Sequence, residues 1–179
     1  TGYADVKKSG GAILDLHIHD TDFITYLLGK PLAIYTTGIK TQRGWDHVVT
    51  LYEYPNYKVV AEGGWDLASS TGFRHGFRAN FTSGVTLEYD LKYQPLILYK
   101  EKQEDTELVN LPELEVDKAD TGGNISALGG YYKEIKYFID CIEKQEKPQR
   151  VTLEDAKLSL EVLMKEIESA ETGQKISLI

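Results

Sequence analysis

Two carboxylates, an imidazole and a phenol recur at helical spacing near the start of the chain. They are Asp15, His19, Asp22 and Tyr26, within the stretch SGGAILDLHIHDTDFITYLLG that runs from Ser9 to Gly29. At about 100° per residue these positions share one helix face, within a stripe about 60° wide. An aspartate one turn before a histidine can accept a hydrogen bond from one ring nitrogen. That bond fixes the tautomer and raises the basicity of the other nitrogen. An imidazole held in this way suits the oxidation of an alcohol, where the hydroxyl proton must leave as hydride departs from carbon. The same spacing also describes an ordinary solvated stripe, and spacing by itself favours that plainer reading. Ile13, Leu16, Phe23, Ile24 and Leu27 take the opposite side, and His17 and Asp20 fall among them with no account in the periodicity.

Asp15-Leu16-His17-Ile18-His19 also spells D-x-H-x-H, the metal-ligand motif of amidohydrolases and PHP-type phosphoesterases. That chemistry places two histidines on one face of a strand, at the mouth of a barrel of about 250 residues. Here a helical pattern follows directly, and only His47 and His75 remain as further histidines. We expect no metal site, and a metal-dependent hydrolase stands as the weaker alternative.

The elements that must position these residues are legible in outline. Gly10-Gly11 punctuates the chain, and Ile13 to Leu28 reads as a helix ended by Gly29 and Pro31. Short β runs follow: Leu32 to Lys40, His47 to Tyr54, Tyr57 to Trp65, His75 to Thr82, Val85 to Lys92, Leu96 to Lys102 and Glu107 to Leu111. Pro55-Asn56 turns between the second and third, and Ser83-Gly84 between the fourth and fifth. Pro112 to Ile125 is acidic and rich in glycine, an expected exposed loop. A helix near Tyr131 to Lys144 carries Ile135, Phe138, Ile139 and Ile142 at helical spacing. A second helix has Thr152 as N-cap, Asp155 completing a capping box, Leu160, Leu163, Ile167 and Ala170 as its apolar stripe, and Gly173 past its end. QKISLI could add a last strand.

The pattern predicts an α+β domain: an open, mostly antiparallel β-sheet of about six or seven strands, helices packed on one face, the other face free for dimerisation. The chain's 12 tyrosines suit a face that meets a partner, a homodimer or higher homo-oligomer through the sheet. A net charge of −8 with no basic stripe argues against a nucleic-acid partner. No run is long enough for a membrane span. The lone Cys141, in an apolar helical pattern, reads as a buried small side chain and fits a reducing, cytoplasmic compartment. The opening TGYADVKKSGG lacks an initiator methionine and reads as a polar connecting loop, so we expect a piece excised from a longer protein.

GGAILDLHIHDTDFITYLLGKP resembles the start of the C-terminal domain in the family named for glucose–fructose oxidoreductase and inositol dehydrogenase, Gfo/Idh/MocA. That family shows Gly-Gly, then D-x-x-x-H-x-x-D, an apolar helix and Gly, matched here by Gly10, Gly11, Asp15, His19, Asp22 and Gly29. The ending is similar as well, with Ser169, Ala170, Gly173 and Leu178, and so is the helix before it, YYKEIKYFIDCIEKQEKP. The resemblance implies that residues 1–179 are a C-terminal substrate-binding and dimerisation domain. NAD or NADP would be bound mainly by an N-terminal Rossmann domain absent from this chain. A sugar, polyol or related hydroxy compound would be the substrate. His19 would then be the general acid/base and Asp15 its orienting partner, with Asp22 structural. No G-x-G-x-x-G occurs, so no cofactor-binding residue is assigned and the chain alone is expected to be inactive. His17, where the family often has a small residue, could reach the substrate or hydrogen-bond locally. Trp65, His75 and Tyr131 are candidate substrate-binding residues, each with ordinary packing as the alternative. A non-catalytic binding module of the same ancestry is the competing reading of the whole.

Overall fold

Gly10 and Gly11 both adopt positive φ, 77° and 85°, and turn a short α-helix, α1 (Val6–Ser9), into the next element. A Cβ on Gly11 would come within 3.1 Å of the Trp45 backbone nitrogen, so glycine is needed there for close approach as well. This is a computed structural model, and it describes residues 6–92, 96–101, 106–109 and 128–179. The expected acidic loop from Pro112 to Ile125 lies outside the described residues.

The single α-helix expected from Ile13 to Leu28 begins instead as a π turn, Ile13–His17, and continues as α2, Ile18–Leu28. A π turn advances fewer degrees per residue than an α turn, so residues before it and after it do not share one 100° wheel. The buried side of the combined helix is Ile13, His17, Thr21, Ile24 and Thr25, while Phe23 and Leu27, expected in the core, are exposed. Gly29 closes α2 at φ 74°, with its N–H on the Thr25 carbonyl at 2.9 Å.

Among the described residues eight strands follow: β1 (Ala33–Thr41), β2 (Gly44–Glu53), β3 (Lys58–Gly64), β4 (Gly76–Phe81), β5 (Val85–Asp90), β6 (Leu96–Lys100), β7 (Glu107–Val109) and β8 (Ile176–Ser177). Two further helices, α3 (Leu128–Lys144) and α4 (Leu153–Thr172), complete the elements among the described residues. The architecture is α+β and every strand pairing is antiparallel. The strands form two four-stranded sheets, β3-β2-β1-β8 and β4-β5-β6-β7, rather than one meander. Between β3 and β4 the chain passes through a 3₁₀ turn, Ser69–Thr71, and Gly72 at φ 68°, which replaces the tight hairpin that would have kept the ladder continuous.

The chain divides into two compact units, Thr1–Leu67 with Lys147–Ile179, and Ala68–Glu146, so the second is inserted in the sequence of the first. In unit 1, alternation along β2 buries Val48, Thr50 and Tyr52, opposite Ile34 and Thr36 of β1. Ile24, Ile34, Tyr52, Tyr54, Ala61 and Val162 form one apolar cluster, and Ile13, Val48 and Leu163 a second. The other face of this sheet shows Tyr35, Ile39 and Val60, each at least 40% exposed. The tyrosines thus divide between core and surface.

Thr152 caps α4 as expected, its side chain accepting from the Asp155 N–H at 3.2 Å, and Gly173 ends the helix at φ 66°. The buried stripe of α4, however, is Ser159, Val162, Leu163, Glu166 and Ser169, whereas Leu160 is 49% exposed. Polar partners on α2 and β1 turn the helix to this side. The hydroxyls of Thr25 and Ser159 meet at 2.9 Å, and Ser159 donates to Asp22 at 2.7 Å. The Ser169 hydroxyl accepts the Thr36 N–H at 2.9 Å.

In unit 2, Gly84 at φ 77° makes the expected hairpin between β4 and β5. Along α3, Ile135, Phe138, Ile139 and Ile142 are exposed and Cys141 is buried as expected. Among the described residues no helix is long and apolar enough to cross a membrane.

Candidate acid–base site

Asp15 lies inside the π turn and His19 in the first turn of α2, the carboxylate half-buried and the imidazole exposed. Neither side chain makes a hydrogen bond or ion pair with another described residue. The expected bond from Asp15 to His19 is therefore not formed here. Asp15 precedes the π-to-α junction and His19 follows it, so the two are not separated by one regular α turn. What the turn does provide is a carboxylate and an imidazole on neighbouring turns of one helix start, both accessible.

His17 has the opposite environment. Its side chain is fully enclosed, and of the two roles open to it in the sequence it takes local hydrogen bonding. Nδ1–H donates to Asp20 Oδ2 at 3.2 Å, and Nε2–H faces Glu166 Oε2 at 3.2 Å. The hydroxyls of Thr50 and Tyr52 lie 3.2 and 3.4 Å from Nε2. Thr21 donates to the other Glu166 oxygen at 3.0 Å. Burial alone would lower the pKa of this imidazole. The hydrogen bonds and charges of Asp20 and Glu166 outweigh it and push the pKa up to about 9. His17 is thus an imidazolium at neutral pH, enclosed between two carboxylates. Burial and the nearby Glu166 charge push the Tyr52 phenol well above its ordinary range, so it stays neutral and acts as a donor.

Gly63 of β3 makes room for this group: a Cβ there would meet His17 Nδ1 at 3.0 Å and Asp20 Oδ2 at 3.1 Å. Further along the same strand end, Trp65 is half-buried, its N–H on the Asp46 carbonyl at 2.8 Å. Trp65 therefore belongs to the same unit as Asp15, His17 and His19. His75 and Tyr131 belong to unit 2, both exposed. The His75 ring packs 5.7 Å from the Phe73 and Tyr89 rings, which is ordinary aromatic packing.

The D-x-H-x-H spelling does not produce converging ligands, because His17 is enclosed and His19 is exposed. Among the described residues no group of three or more His, Cys, Asp or Glu side chains is gathered as a metal ion would need. Nor do the described residues contain a strand leading through G-x-G-x-x-G into a helix, the arrangement that would hold a dinucleotide.

Sequence reasoning missed Glu166 and the hydroxyls of Thr21, Thr50 and Tyr52. One signal was available. Glu166 and His17 are both charged or chargeable residues set within apolar stripes, Glu166 between Leu163 and Ile167, and His17 between Ile13 and Ile24. Two such residues in one small domain point to each other.

The family model described as "Oxidoreductase family, C-terminal alpha/beta domain" matches residues 3–178. A scyllo-inositol 2-dehydrogenase (NAD(+)) of Bacillus subtilis (strain 168) is 25% identical over 183 residues, covering 97% of this chain and 49% of the relative. Among solved structures, aldose-aldose oxidoreductase of Caulobacter crescentus, in complex with glycerol, superposes with a TM-score of 0.74 at 14% identity, over 99% of this chain and 51% of that one. Levoglucosan dehydrogenase, in complex with NADH and levoglucosan, gives a TM-score of 0.72 at 15% identity, over 99% and 53%. The chain spans about half the length of the relatives it matches. It belongs to the Gfo/Idh/MocA oxidoreductase family and is that family's C-terminal domain.

Proposed function

We propose that this domain binds the substrate and supplies the proton-transfer group of an NAD(P)-dependent oxidoreductase acting on a sugar, polyol or related hydroxy compound. The observation that carries the reading is the exposed His19, four residues beyond the half-buried Asp15, on a helix start whose other side is fixed in the core. His19 takes the hydroxyl proton during oxidation and returns it during reduction, and Asp15 orients the ring and contacts the substrate. NAD or NADP, when bound, supplies the hydride acceptor. The residues described here do not form its site, which we assign mainly to an N-terminal Rossmann domain, and this chain alone is expected to transfer no hydride. The CH–OH chemistry is supported by relatives that are named for an inositol, an aldose and levoglucosan.

We also assign the outer face of the β3-β2-β1-β8 sheet, with exposed Tyr35, Ile39 and Val60, to a homodimer contact. A cytoplasmic location follows from the same reading. The unformed bond between Asp15 and His19 is the one observation favouring a second reading, a binding module without catalysis.

One variant decides between them. In the intact protein carrying its cofactor domain, assayed with NAD or NADP and a panel of inositols and aldoses, His19→Ala should lower kcat by about 100-fold or more. Unchanged turnover on the best substrate of the panel would leave only the non-catalytic module.

A further inference from the structure

The backbone that carries Asp15 and His19 is irregular, and an irregular turn keeps its shape only where neighbouring structure holds it. The π turn ends at His17, between the two residues, and His17 is the side chain that ties this point to the rest of unit 1. Its ring meets an element on every side. Asp20 belongs to α2, Glu166 to α4, and Thr50 and Tyr52 to β2. β3 presents only Gly63, with no titratable group. The anchoring is doubled by Thr21, which donates to Glu166 at 3.0 Å and receives the Tyr52 hydroxyl at 3.2 Å. Glu166, itself fully buried, thus takes bonds from two successive turns of the site-bearing helix. Thr50 extends the network to Thr36 of β1 at 3.0 Å.

We propose that the buried His17–Glu166 pair is a positioning device that sets the orientation of Asp15 and His19 toward substrate. The inference rests on the acid–base reading of His19. Apolar packing could have closed this interface equally well, since a buried ion pair is often no more stabilising than well-packed apolar side chains of the same volume. What directional bonds at 3.2 Å add is a fixed angle of the helix start, and acid–base chemistry is sensitive to an ångström of misplacement. Neither His17 nor Glu166 touches the substrate in this scheme, so both act through the turn.

The test uses the intact protein, with the inositol or aldose that the His19→Ala assay selects as probe. His17→Gln alone leaves the buried Glu166 carboxylate without its counter-charge and should lower the thermal midpoint. His17→Gln with Glu166→Gln removes both charges and should regain most of that midpoint, yet keep kcat reduced about tenfold or more with KM within about twofold. Recovery of both midpoint and kcat in the double variant would overturn the proposal and leave the pair as packing. Gly63→Ala gives a second route if the double variant does not fold. It keeps both charges and pushes a methyl against His17 and Asp20. It should lower kcat several-fold with a small change in midpoint, and an unchanged kcat would overturn the proposal. If His19→Ala leaves turnover intact, the acid–base reading falls and this inference with it. If His19→Ala is inactive while the double variant and Gly63→Ala turn over normally, only this inference falls.

Discussion

Raising the pH above neutrality should strip the proton from His17 while the ring is still enclosed, and the stability of unit 1 should fall as it does. Folding raises the pKa of this imidazole from 6.5 to about 9. A group whose pKa is raised by folding holds its proton more tightly in the folded state. Its contribution is therefore complete below 6.5 and is lost as the pH climbs through about 9. At about 1.4 kcal/mol per pH unit, that interval is worth about 3 kcal/mol. The chain's 2 tryptophans are Trp45 and Trp65. Both lie in unit 1 with His17, so their fluorescence in urea reports the relevant part of the molecule. With a urea dependence of about 2 kcal/mol per molar, the unfolding midpoint should drop by about 1.5 M between about pH 6 and about pH 9.5. His17→Gln with Glu166→Gln has no buried charge pair to lose and should show only a shallow change over the same range. A wild-type profile that is flat, or that the double variant follows in parallel, would refute the cationic state of His17.

Two further outcomes are expected. Thr152→Ala removes the hydroxyl that accepts the Asp155 N–H at 3.2 Å and the donor that meets its carboxylate at 2.8 Å. It should cost about 1 kcal/mol in the same urea titration, and an unchanged midpoint would show that the cap does not hold α4. Light scattering at roughly tens of micromolar should give about twice the 20.2 kDa chain mass. Val60→Asp on the outer sheet face should return the chain mass, and a monomer before mutation would remove the dimer assignment.

The strands were legible because each β run alternates and is bounded by residues with a turn chemistry of their own. Ser83-Gly84 and Pro55-Asn56 sit where the chain reverses. The ends of α2 and α4 were legible for the same reason, since Gly29 and Gly173 take conformations that few other residues adopt. The break into two sheets was not, because the 3₁₀ turn Ser69–Thr71 and Gly72 look, in sequence, like any polar connection. The two helix faces failed for a deeper reason. Hydrophobic periodicity assumes that what is buried is apolar, and beside Ile24 and Val162 the contact between α2 and α4 is polar: Thr21 with Glu166, Thr25 with Ser159, Asp22 with Ser159. A wheel sorted by hydropathy therefore finds Ile13, Ile24 and Leu163, but it also counts the exposed Phe23, Leu27 and Leu160 and leaves out the buried polar residues. Within the candidate site, the positions of Asp15 and His19 could be read from spacing, but the absent bond between them could not. A π turn has no compositional signature, and it changes which residues face one another.

The pairing of Thr21 with Glu166 spans 145 residues, and nearly the whole chain lies between a buried imidazole and its counter-charge. Chain order therefore imposes an order of assembly. On a ribosome the helix of His17 emerges long before the carboxylate that makes its burial tolerable. The inserted unit is built largely from hairpins between successive strands and can close on itself in the interval. Unit 1 cannot, because docking α2 on the sheet before α4 arrives would enclose an imidazole with Asp20 as its one acidic partner. Its final closure is a long-range event that waits for α4, with the entropy of a long loop already reduced by the folded insertion within it. A nascent chain stalled before Glu166 should present the apolar side of the β3-β2-β1 ladder uncovered, the state in which chaperones and proteases meet it.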